Sequence, residues 1–449
     1  MQRFRMKNVK VSDWAGRRKR SYRYPFALAI GVALLAAGLF ITGWGTKITY
    51  ALSEAHSHAV RVAGEAYDIL TPSSASFDRS HPVAETEDSI PPKPIVEHVQ
   101  TPDAVKAIYM TQCYAGTPSL RANLINLVNA TELNAIVIDL KDYSGTVAFP
   151  SETALEGTGC TVGDFRDLIK QMHENNIYVI GRLTVFQDPV YVKAHPEQAV
   201  QSASRDAPWK DRKGLSFVDV GSKPFHDYIV ALAREAHDLG VDEINFDYIR
   251  YPSDGDMKDT RYAQAEVSHQ EMLERFFKYL AEAVRKDQSD HVPVLSADLF
   301  GMTSTNTDDL NIGQVLERAL PYFDYIAPMV YPSHYPSGFH GYDDVNAHPY
   351  DIVNFSMAEA ARRVVASTTP VAGFTQERIG TTTPAVYKKP IYDKQKMRPW
   401  LQDFDYPVEY TPAMVQEQIK ATYDSGLTSW MFWDPANRYD SLKQILKSE

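Results

Sequence analysis

From about residue 104 onward, short apolar runs of strand length alternate with longer stretches whose apolar positions recur at helical spacing. Eight such runs can be counted: Ala107–Gln112, Ala135–Asp142, Ile177–Phe186, Asp242–Ile249, Val292–Phe300, Tyr325–Tyr331, Thr369–Gln376 and Ser429–Asp434. Between them the pattern predicts helices over Ser119–Ala130, Val162–Glu174, Lys223–Leu239, Tyr262–Lys286, Ile312–Ala319, Ile352–Ala366 and Pro412–Asp424, with a last one over Asp440–Lys447. Strand and helix alternating in this way is the signature of βαβ units and a parallel sheet. Eight units, with a long excursion after the third, favour an α/β fold of the (β/α)8 TIM barrel type over residues 104–449. The other candidate, a doubly wound open sheet, wants a glycine-rich phosphate turn directly after an early strand. The segment Gly157–Gly163 has neither the spacing nor the position.

The chain ahead of the barrel reads differently. Tyr24–Trp44 is 21 residues without a charge, preceded by an arm of nine basic side chains and one acid, so residues 1–23 carry +8 and the rest of the chain −19. About 20 apolar residues cross a bilayer as a helix, and basic flanks stay on the cytoplasmic side. The expectation is a single-pass protein of the cell membrane: a cytoplasmic arm (1–23), a transmembrane helix contacting the lipid bilayer (24–44), and an extracytoplasmic barrel. A cleaved signal peptide competes, but its apolar core is usually shorter and ends at a small-residue site that is missing here. Residues 45–103 read as a juxtamembrane segment running into a linker rich in Pro, Ser and acids. His56 and His58 within it lack further ligands and read as a solvated pair. The overall charge of −11 argues against a nucleic-acid partner, which requires clustered positive charge.

In a barrel, chemistry sits at the C-terminal strand ends. On the fourth run, period two puts Ile244 and Phe246 toward the helices and Glu243, Asn245 and Asp247 toward the axis, with Asp247 nearest the mouth. On the fifth run Ser296, Asp298 and Phe300 share one face, so Asp298 also points to the mouth. Two inward carboxylates on adjacent strands suit glycosidic bond cleavage, one as acid and the other as nucleophile or base. Asp139, Lys141, Arg182, Gln376, Trp433 and Asp434 end other runs, and Tyr248, Arg250 and Tyr331 lie close to the same rim, as candidate substrate-binding groups. Tyr251, Tyr335 and Trp430 could add flat faces for sugar rings. Each carboxylate also has a structural reading, as the partner of Arg182 or Arg250, and aromatics at such positions are usually core or packing residues.

The stretch from Asp219 through Ala233–Pro252 resembles the signature of the glycoside hydrolases of the DUF4015 type, barrels distantly similar to α-amylase-like enzymes. Ala135–Asp142, Ser296–Gly301, Ile326–Pro332 and Trp430–Asp434 fit the same pattern, so the resemblance covers about residues 104–440. It implies a glycosidase acting on a carbohydrate polymer, with Asp247 where amylase-like barrels carry the nucleophile. Their fifth strand carries a Glu as acid/base; here that position offers Asp298.

Cys113 ends the first run and Cys160 follows the second, on one rim of adjacent units, which allows either a disulfide outside the cytoplasm or two free thiols. No cofactor is implied. A carbohydrate-binding scaffold on a degenerate barrel is the alternative to an enzyme. A metal-dependent deacetylase would need a ligand set that His334, His340 and His348 do not supply at recognisable spacing, so no metal site is expected.

Overall fold

The computed structural model describes residues 97–288, 291–373 and 377–448. The basic arm, the apolar span and nearly all of the linker, as well as Gln376, lie outside these residues. Among the described residues no helix is long and apolar enough to cross a membrane.

Eight parallel strands close into a barrel: β1 (Lys106–Met110), β2 (Ala135–Lys141), β3 (Tyr178–Thr184), β4 (Glu243–Asp247), β5 (Val294–Phe300), β6 (Tyr325–Met329), β7 (Trp400–Gln402) and β8 (Trp430–Trp433). Each pairs with its sequence neighbours, and β8 returns to β1 through Lys106 opposite Trp430. The intervening helices are α1 (Pro118–Asn129), α2 (Phe165–Glu174), α3 (Lys223–Asp238), α4 (His269–Arg285), α5 (Leu316–Ala319), α6 (Pro349–Val365) and α7 (Pro412–Asp424). Their starts are marked in the sequence. Ser222, Ser268 and Thr411 accept hydrogen bonds from backbone N–H groups of the first turns of α3, α4 and α7, and Pro occupies the first turn of α1, α3, α6 and α7.

Period two in the strands builds two cores. Ile108, Ile136, Ile138, Ile244, Phe246, Leu295, Ala297 and Leu299 face the helices, while Ala107, Tyr109, Val137, Tyr178, Ile180 and Trp400 fill the barrel. The filling is partly polar. Near the floor Arg398 Nη1 donates to both carboxylate oxygens of Glu243 at 2.9 Å, Tyr178 Oη donates to the same carboxylate at 3.1 Å, and the guanidinium lies 3.9 Å from the Tyr325 ring centroid. Both charges are fully buried, and each is matched.

Two elements differ from the sequence expectation. The seventh strand is Trp400–Gln402, not Thr369–Gln376. Thr368–Thr369 instead pairs with Val386–Lys388 in a three-stranded antiparallel sheet beside the barrel. A strand of three residues is too short for period two to mark, so the apolar Val371–Gly373 stretch offered the stronger signal. The final helix is only a 3₁₀ turn at Leu442–Gln444.

Cys113 and Cys160 form a disulfide with their Cα atoms 5.0 Å apart, tying the turn after β1 to the loop after β2. Alkylation of the unfolded protein labels both cysteines only after reduction; equal labelling with and without reductant rejects the bridge.

Candidate active site

At the C-terminal end of the barrel a cavity opens, with about 800 Å³ of empty space including its mouth. Asp247, at the last position of β4, and Asp298, on β5, both line it, as period two requires. Between them, on β3, stands Arg182. Its Nη1 donates to Asp139 Oδ1 at 2.5 Å, its Nη2 to Asp247 Oδ2, and its Nε lies 3.7 Å from Asp298 Oδ2. One cation therefore faces three buried carboxyls, and the three cannot all be ionised at little cost. Burial pushes Asp298 well above the usual carboxylate range, and the nearby Asp247 charge pushes it further, against the pull of Arg182 and of two donors, Asn245 Nδ2 at 2.9 Å and Trp400 Nε1 at 2.7 Å. Burial also raises Asp139, although Arg182 opposes this and Tyr109 Oη donates to it. Asp247 accepts from the backbone N–H of Tyr248 at 2.5 Å as well as from Arg182.

Tyr248 takes a positive φ of 48°, a strained turn for a bulky residue, immediately after the strand end. Its ring lines the cavity beneath the Arg250 guanidinium, 4.9 Å from the ring centroid. Arg250 donates to Tyr251 O and Ser253 Oγ and not to Asp247, so of the two arginines considered as partners it is Arg182 that holds the carboxylate. The opposite wall is aromatic: Tyr331 stacks on Trp433 with centroids 5.5 Å apart, and Phe404 meets Trp433 edge-on at 4.9 Å. Tyr335 and His334 also line the cavity.

Other sequence candidates have different places. Lys141 is buried with its ammonium 2.8 Å from the equally buried Asp188, on the helix side of the sheet near Phe225. The register of β2 against β3 shifts between Asp139 and Lys141, and across a bulge alternation no longer holds, so Asp139 faces the axis and Lys141 does not. Asp434 accepts from the backbone N–H groups of Ala436, Arg438 and Tyr439 and so fixes the turn after β8. Tyr251 stacks on His269 at 3.8 Å, and Trp430 packs in the outer core, so neither offers a face to a sugar. His340 stacks on Phe355 and also meets the Tyr342 ring at 6.0 Å, and His348 stacks on Tyr342. Sequence reasoning missed Trp400 because its strand was placed elsewhere, and Tyr109 because its run is otherwise apolar. The segment Arg398-Pro-Trp-Leu-Gln-Asp-Phe404 carries no alternation that could have revealed Trp400.

Residues 107–439 match the family model described as "Putative glycosyl hydrolase domain" (DUF4015). No curated protein matches the chain. Among solved structures it is similar to the PgaB (BpsB) glycoside hydrolase domain from Bordetella bronchiseptica, 13% identical with a TM-score of 0.54 over 77% of this chain and 99% of that one. A hypothetical protein from Ruminiclostridium thermocellum ATCC 27405 is 31% identical over 46% of this chain and 98% of its own, with a TM-score of 0.37. Alpha-L-fucosidase isoenzyme 2 from Paenibacillus thiaminolyticus is 11% identical over 76% of this chain and 48% of its own, with a TM-score of 0.49. The first of these likenesses shows the barrel fold.

Proposed function

Because the chain belongs to the DUF4015 family of glycosyl hydrolase domains, we propose that its barrel cleaves a carbohydrate polymer with Asp247 and Asp298 as the reacting pair. The observation that carries this is their contrast within one cavity. Asp298 is pushed toward the protonated form by burial and by Asp247, which suits an acid that protonates the leaving oxygen. Asp247 is aimed by Arg182 and the Tyr248 N–H, which suits a carboxylate that attacks, or stabilises, an oxocarbenium-like centre. Arg182 is the positioning residue of the pair. The stacked Tyr331 and Trp433, with Tyr248 and Arg250 across the cavity, supply flat and hydrogen-bonding surfaces for sugar rings. Incubating the purified chain with a panel of polysaccharides should release new reducing ends from at least one. Binding without cleavage across the panel overturns the reading in favour of a carbohydrate-binding scaffold.

The membrane anchor, the 45–103 linker and the extracytoplasmic location of the barrel are part of the same proposal. They rest on the +8 arm and the uncharged Tyr24–Trp44 span, and a structural cystine accords with an oxidising compartment. The intact protein should stay with membranes through an alkaline wash, and protease added outside should remove the barrel and spare the arm. A soluble mature form beginning after residue 44 contradicts the anchor.

A further inference from the structure

At the end of the barrel opposite the cavity, three histidines from separate parts of the chain meet. His98 lies in the segment entering β1, His237 in the last turn of α3, and His291 just before β5. The rings of His237 and His291 flank that of His98, with centroids 4.3 Å and 4.2 Å from it. Each offers a ring nitrogen, and these nitrogens all lie within 4.8 Å of one another. Among the described residues this is the one such grouping of His, Cys, Asp or Glu ligand atoms.

The hydrogen bonding around the cluster is incomplete in a specific way. His237 is buried with Nδ1 3.1 Å from the carbonyl of Val241 and Nε2 3.2 Å from the carbonyl of His291. A neutral imidazole has one N–H, so one of these carbonyls faces a lone pair. The Nδ1 atom of His291 is buried as well and has no hydrogen-bond partner, and the buried Nδ1 of His98 has only the Asp242 carboxylate near it, at 3.4 Å. One His237 nitrogen thus meets a carbonyl with a lone pair and His291 Nδ1 meets nothing, an arrangement that costs free energy unless something electrophilic binds there.

We propose that His98, His237 and His291 bind one divalent transition-metal ion of the zinc class at the N-terminal face of the barrel. Three neutral imidazoles with an open fourth position are a known zinc donor set, and imidazole nitrogen selects such ions over magnesium or calcium. Asp242 and the backbone supply the outer layer that such sites need. The Asp242 carboxylate lies 3.4 Å from His98 Nδ1 and favours a proton there, and the Val241 carbonyl, the nearer of the two carbonyls at His237, does the same for its Nδ1, which leaves Nε2 of each ring to the ion. Asp242 is itself fixed by the N–H groups of Val99 and Val179 and by His173 at 3.0 Å. The rings are stacked, with interplanar angles of 18° and 14°, so binding turns them out of the stack until their in-plane lone pairs converge and brings the nitrogens to the ~3.4 Å spacing set by tetrahedral bonds of about 2.1 Å. Because His98 lies in the segment leading into β1, the ion clamps that segment to the barrel floor. In TIM barrels this face serves stability rather than chemistry.

Zinc titration of the full chain, freed of metal with chelator and followed by calorimetry, tests the site. The expected result is one equivalent bound at micromolar or tighter affinity, with a higher melting temperature in zinc than in magnesium. His98→Gln and His291→Gln, both at positions that remain partly exposed, should each weaken that equivalent at least tenfold and abolish the zinc-dependent rise in melting temperature. Cobalt(II) in place of zinc should give the intense visible bands of a four-coordinate site, lost in both variants. No saturable zinc binding, or an equivalent that persists unchanged in the His98→Gln/His291→Gln double variant while the barrel remains folded, overturns the proposal.

Discussion

Asp247→Asn lowers turnover by about three orders of magnitude or more while the barrel stays folded and still binds glycan, as measured by kcat, glycan affinity and thermal melting side by side. The loss in rate follows from chemistry: an amide neither attacks an anomeric carbon nor carries the negative charge that stabilises an oxocarbenium-like centre. Retention of fold follows from charge arithmetic in the cavity. Removing one partner of a buried ion pair usually destabilises because it strands the other charge. Here Arg182 faces three carboxyls, and in the variant it keeps Asp139 at 2.5 Å and Asp298 at 3.7 Å. The two donors meet different oxygens of Asp247, Arg182 on Oδ2 and the Tyr248 N–H on Oδ1, so the single Asn oxygen keeps one of these bonds and loses the other. A second consequence is separable from the first. The Asp247 charge is the second cause of the raised ionisation of Asp298, after burial, so in Asp247→Asn the Asp298 carboxyl ionises at lower pH than in the wild-type chain. Unfolding of the variant with unchanged specific activity in the folded fraction would make Asp247 a structural ion-pair partner.

The residues legible in the sequence were those on strands long and regular enough for period two to hold. Glu243, Asn245 and Asp247 on β4, and Ser296, Asp298 and Phe300 on β5, all face the axis as alternation requires, because both strands pair without a register shift. The same rule misled at Lys141, where a bulge on β2 turns a residue two positions from Asp139 to the other face and seals it against Asp188. It was silent on β7, three residues long, and with β7 went Trp400, whose indole N–H holds Asp298. Asp434 shows a different limit. A carboxylate at a strand end can be spent on capping its own turn, and only the positions of Ala436, Arg438 and Tyr439 N–H reveal that. The choice of Arg182 over Arg250 as the hub of the carboxylates depended on inter-strand register, since Arg182 stands opposite Asn245 on one side and Asp139 on the other. The histidine cluster was beyond sequence reading altogether. Its members are separated by 139 and 54 positions and meet only when the barrel closes.

Asp298→Asn should discriminate among substrates where Asp247→Asn does not. A general acid contributes in proportion to how badly the departing oxygen needs a proton. Natural glycans leave as alkoxides of sugar hydroxyls and should lose about 10²- to 10⁴-fold in kcat/KM, whereas aryl glycosides with acidic phenol leaving groups should lose little. The pH profile gives the second readout, and its sign is fixed by the direction of the shift. Burial and the Asp247 charge raise Asp298 well above its ordinary range, so it keeps its proton to higher pH than an ordinary carboxyl, and the rate on glycans falls as the pH rises through that ionisation. In Asp298→Asn this alkaline limb should vanish from the profile of the activated substrates. The amide keeps an oxygen able to accept from Asn245 and Trp400, so the pocket retains its shape and the comparison isolates the proton. An equal loss on good and poor leaving groups, with the alkaline limb still present, would remove Asp298 from the acid role and leave it a partner of Arg182.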